Sequence, residues 1–122
     1  PLRDVYKRQV MKALFLILNK TEKLNDVLEA YVKVGIKGAT VVDSQGMGSA
    51  LSESNLPMFG GFLRTVLDNN RPFNKVIFSV VKDEEVLNDA IAAVEDILGD
   101  MSKPGVGLMF VMPVDRVVGW TK

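Results

Sequence analysis

The 122-residue chain has no cysteine and no histidine. Those absences remove disulfides, thiolate nucleophiles, zinc sites of the usual kind and the commonest general base. No run approaches the ~18 apolar residues of a membrane-spanning helix, and no signal-peptide pattern is visible. Fifteen basic residues balance fifteen acidic ones, so nothing marks a binder of nucleic-acid backbone. Asp43, Glu53, Asp68 and Asp100 could pair as carboxylates, but solvated surface acids are the commoner explanation. Ser44 lacks both the glycine flanks of a nucleophile elbow and a histidine partner. The chain is therefore read as a non-enzyme, with no catalytic set and no metal set. The lack of cysteine fits a cytoplasmic location.

What is present suits one folded domain. The chain is 48% hydrophobic and 25% charged, ordinary values for a globular protein of this length. Residues 1–10 are polar and aperiodic and stand before Met11, where a natural start would fit, so they read as a non-native leader. That leader carries Arg3, Lys7 and Arg8 against Asp4, leaving 12 basic and 14 acidic residues in a domain at 11–122.

The central stretch is Gly35 to Ser49. Gly35 stands where a helix ending at Val34 needs a residue tolerant of positive φ. Ala39-Thr40-Val41-Val42 reads as a strand buried on both faces. Gly46 and Gly48 then offer bare backbone N–H groups to an anion, or simply make a turn. Upstream, Ala13 to Leu18 is an apolar run of strand length, and Thr21 is placed to cap a helix with Leu24, Val27, Leu28 and Tyr31 inward. Residues 45–72 form a long excursion whose Met58, Phe59, Phe62 and Arg64 suit docking on a partner, with two helical turns expected near 62–70.

Regularity resumes with a strand at Val76–Val81. Asp83 caps the next helix, in which Ala90, Ile91, Val94, Ile97 and Leu98 make an inward stripe, and Gly99 ends it. A glycine-flanked strand, Leu108 to Met112, follows, and Asp115 to Trp120 is expected to add a short edge strand. Trp120 is either a core-edge anchor or a neighbour of a ligand cleft. Two strand–helix–strand halves predict an α+β, ferredoxin-like fold: a four-stranded antiparallel sheet with two helices on one face. Strands this apolar need cover on both faces, so the chain is expected to oligomerise through its sheets.

Gly35-Ile36-Lys37-Gly38-Ala39-Thr40-Val41 leading into Gly46-Met47-Gly48, with Gly105-Val106-Gly107-Leu108 to Val114 later, resembles the PII signal-transduction family, within the PII/CutA-type trimeric superfamily. The resemblance covers Met11 to Trp120. It implies a homotrimer that senses a small ligand, such as an adenine nucleotide (ADP, AMP, ATP or a cyclic form), in clefts between subunits. It also implies control of a membrane transporter or an enzyme through the 45–72 loop. By position, ligand contacts would come from Gly38, Ala39 and Thr40, from Gly46, Met47, Gly48 and Ser49 in a loop base starting at Ser44, and from Lys103, Gly105, Val106 and Gly107.

The departures are specific. Ser49 stands where tight ATP binders of the family have arginine, Leu108 where a basic residue follows the second Gly-x-Gly, and Gly119 and Thr121 where a basic pair is expected. Each lost charge-assisted hydrogen bond costs roughly 1.5–3 kcal/mol. Lys103, Arg64 and Arg71 are the available replacements. No counterparts to the 2-oxoglutarate ligands or to the modified tyrosine are found. This is the pattern of a divergent PII-like protein. The alternative is a ligand-free trimeric interaction module in which the glycines serve only as turn residues.

Overall fold

The computed structural model describes residues 11–47 and 73–120. Strand β1 (Lys12–Leu18) leads through a 3-10 turn at Thr21–Lys23 into α1 (Leu24–Val34) and β2 (Thr40–Gln45). Then follow β3 (Phe73–Val81), α2 (Glu84–Leu98) and β4 (Gly107–Pro113). The strands lie in the order β2-β3-β1-β4, every neighbouring pair antiparallel. This is the expected ferredoxin-like arrangement. The leader at 1–10 and the loop residues Met58, Phe59, Phe62 and Arg64 lie outside the described residues, as does the expected 62–70 helix.

Strand periodicity separates the two sheet faces. Leu14, Leu16 and Leu18 of β1 are completely buried, as is Ile77 of β3. They pack with Val27 and Tyr31 of α1 and with Leu87, Ala90, Val94 and Leu98 of α2. Fully burying one such aliphatic side chain contributes ~1.5–3 kcal/mol, so this side carries the core. The opposite face holds Phe78, Phe15 and Phe110 in cross-strand register. Their rings stack at centroid distances of 5.5 and 5.0 Å. Leu108 and Met112 flank this row, 58% and 47% exposed. Among the described residues no helix covers this face.

Helix ends follow local chemistry, with one correction. Gly35 closes α1 in the left-handed conformation, its N–H bonded to carbonyls of the last turn. The Asp83 carboxylate caps α2, accepting from the N–H groups of Glu85 and Val86 at 2.8 and 3.3 Å. Thr21 does not cap α1; it opens the 3-10 turn, and α1 starts behind Lys23 with no side-chain cap.

Three further expectations fail. The strand foreseen as buried on both faces, β2, is an edge strand with Val41 and Val42 exposed. Its β-branched run reflects pleated-sheet preference, which says nothing about burial. It also extends through Ser44 and Gln45, so the loop base starts later than expected. Finally, 115–120 forms no strand; the chain leaves the sheet after Val114, whose N–H bonds Met11 O.

Candidate functional site

The residues singled out from the sequence occupy three corners of the sheet, not one. Gly38, Ala39 and Thr40 lie at the start of β2, beside the end of β3. Gly46 and Met47 follow the end of β2, about 17 Å along the strand from Thr40 at ~3.3 Å per residue. Lys103, Gly105, Val106 and Gly107 lead into β4, at the same end as Gly46 but on the opposite edge. Three strand spacings of ~4.8 Å put them about 14 Å apart. Gly48 and Ser49 lie outside the described residues.

Among the described residues, the first corner forms a cleft of about 840 Å³. Its walls are the turn from Gly35 to Thr40, the end of β3 with Lys82 and Asp83, Val86 of α2, and Val117, Gly119 and Trp120 of the tail. Across it, the Ser79 hydroxyl donates to Gly38 O at 2.6 Å. Ser79 escaped the sequence reading, although a lone hydroxyl within Val76-Ile77-Phe78-Ser79-Val80-Val81 was the signal. Trp120 is 39% exposed and borders the cleft, with Lys82 Nζ 5.7 Å from its ring centroid.

The β4 corner is shaped by its own packing. Val106 is buried in the core, so its side chain faces no ligand, and its carbonyl accepts from Asn19 N–H. Any contact there comes from backbone. Gly105 takes φ +78°, and a Cβ on Gly107 would come within 2.8 Å of Ile17 O. Both glycines are thus required by the turn and by close approach to β1. Asp100 folds the loop, accepting from Ser102 Oγ at 2.6 Å and from its N–H at 3.0 Å. Those bonds, the side-chain one first, hold its carboxyl below the usual range. Lys103 is exposed, its N–H bonded to Asp100 O.

Gly38 and Gly46 behave differently. Neither has positive φ. Among the described residues, a Cβ on Gly38 would meet nothing within 4 Å, and one on Gly46 only the Asn74 amide at 3.8 Å. Next to Gly46, Ser44 Oγ and Asn74 Oδ1 are shielded from water and have no hydrogen-bond partner among the described residues. Among the described residues no cluster of carboxylates is arranged to hold a metal ion.

The sequence model for nitrogen regulatory protein P-II matches residues 11–121. The chain belongs to the PII family. It is 32% identical over 99 residues to the nitrogen regulatory protein P-II of Azospirillum brasilense, covering 81% of this chain and 82% of that protein. Its fold is similar to that of Arabidopsis thaliana PII bound to citrate, with TM-score 0.58 and 20% identity over 88% of this chain and 79% of the other. PII membership makes this a regulatory signal-transduction chain, and the ferredoxin-like architecture agrees. Among the described residues no helix is long and apolar enough to cross a membrane.

Proposed function

We propose that this PII-family chain is a cytoplasmic, non-catalytic homotrimer that senses an adenine nucleotide in clefts between subunits. The bound state is then passed to a membrane transporter or an enzyme through the 45–72 loop. The observation that carries the reading is the pair of glycines the protomer itself does not need. Gly38 and Gly46 have room for a side chain and ordinary backbone angles, so their smallness serves something that approaches from outside. The three-corner layout supports the same conclusion, because no single nucleotide contacts all three corners of one protomer. A neighbour presenting its own corner across the cleft would reunite them. The Phe78–Phe15–Phe110 face supplies the apolar surface for such packing.

The test joins assembly to ligand. Sedimentation velocity should give a trimer, and Phe15→Glu a smaller species. A thermal-shift panel of ATP, ADP, AMP, cyclic AMP and cyclic di-AMP should then yield one responder, since ligand at a hundred times its Kd adds ~2.7 kcal/mol. Gly38→Ala should keep the ligand-free melting temperature and lose the response. A trimer with a flat panel would refute nucleotide sensing and leave an interaction module. A monomer would refute the inter-subunit site.

A further inference from the structure

The C-terminal wall of the cleft is lightly fastened. Among the described residues, the Val114–Met11 contact of 3.0 Å is the last backbone hydrogen bond along the tail. From Asp115 to Trp120 there is no regular structure, and Val118 is 84% exposed. Gly119 adopts φ +87°, a conformation suited to a pivot. Yet Val117, Gly119 and Trp120 all border the cleft. Lys82, the first residue after β3, contacts this segment, its ammonium 5.7 Å from the centroid of the Trp120 ring. It spans from the body of the domain to the tail.

We propose that residues 115–120 form a strap across the cleft, latched by Lys82 on Trp120, and that release of this latch governs ligand access. The proposal rests on the cleft being the ligand site and adds its control. A cation–π contact at an exposed site shifts the closed-to-open ratio only about two- to five-fold. That weakness suits a latch, because a ligand ring stacking on Trp120, or an anion pairing with Lys82, removes one partner and biases the strap open. Strap position and occupancy are then coupled, each shifting the other.

Trp120 is the only tryptophan, so it reports the strap directly. Acrylamide quenching is compared in ligand-free wild type, Lys82→Met and Lys82→Arg. The Met variant keeps the length of the side chain and drops its charge; it should raise the open population about two- to five-fold, while Arg stays near wild type. Equal quenching in all three overturns the latch, whether Trp120 is free throughout or shielded throughout. Stopped-flow association of the fluorescent probe mant-ATP tests access from both sides. Lys82→Met and Trp120→Leu should each bind it faster than wild type, and unchanged rates in both overturn control of entry. If mant-ATP binds none of the proteins, nucleotide sensing fails by itself, and the quenching series still decides the latch.

Discussion

Replacing Ser79 with alanine tests whether the cleft is held by the core beneath it. Ser79 is 4% exposed, the only buried polar residue among those described, and its hydroxyl donates to Gly38 O at 2.6 Å. A neutral hydrogen bond contributes ~0.5–1.5 kcal/mol net, while stranding a buried partner costs ~1–3. The partner here is on an exposed glycine, so its carbonyl can turn to water and the cost falls at the lower end. The expected loss is about 1 kcal/mol, or roughly 3–5 °C in Tm for a domain of this size. Urea unfolding at matched protomer concentration measures it, with Ser79→Thr as the variant that keeps the hydroxyl. Hydrogen exchange should quicken at the amides of Ile36 to Thr40 and stay unchanged in α2. A Ser79→Ala protein as stable as wild type, or one whose α2 loosens together with the turn, would refute the argument.

Removing the α2 cap by Asp83→Ala should cost about 1 kcal/mol, with Asp83→Asn losing only part of that; equal unfolding midpoints would contradict the cap. Gly107→Ala should destabilise more, by about 2 kcal/mol, because the new methyl meets Ile17 O at 2.8 Å in a backbone region that disfavours side chains; an unchanged denaturation curve would contradict this. Tyr31 is buried with its hydroxyl unpartnered, and burial pushes its pKa up to about 12. Below pH 10 both folded and unfolded chains keep the proton; between pH 10 and 12 only the folded chain does, so stability falls with rising pH by roughly 3 kcal/mol. Tyr31→Phe should be neutral or slightly stabilising at pH 7 and should lack that alkaline loss. A variant that tracks wild type through pH 11 would show that the hydroxyl titrates normally.

The fold was legible where burial and local chemistry agree. The run Ala13–Leu18, the stripe Ala90–Leu98 and the stop at Gly35 each have one structural solution, and each takes it. Burial of β2 was misread because Val41 and Val42 report pleated-sheet preference equally well at an edge as in a sandwiched strand. Thr21 has capping chemistry, but the 3-10 turn absorbs it before α1 starts. The tail at 115–120 is apolar enough for a strand; it leaves the sheet after Val114 and borders the cleft instead. Leu87 lies one turn before Ala90 on the same face and extends the buried stripe toward the start of α2.

The candidate site was legible as a set of residues but not as a place. A glycine in a sequence does not disclose whether it answers to its own backbone or to a visitor, and the structure separates the two. Gly107 answers to Ile17 O, and Gly105 to a turn of positive φ, so their presence would be expected in a protein that binds nothing. Gly38 and Gly46 answer to neither constraint. Support for a ligand thus lies less with the second glycine loop, where Leu108 already replaces the expected cation, than with the corner at Gly38. There Ser79 holds the turn, Lys82 and Trp120 border the opening, and a methyl group added at Gly38 would disturb only what comes from outside. Substitution at Gly38 and at Gly107 should therefore divide cleanly: the first changes binding at constant stability, and the second changes stability whether or not anything is bound.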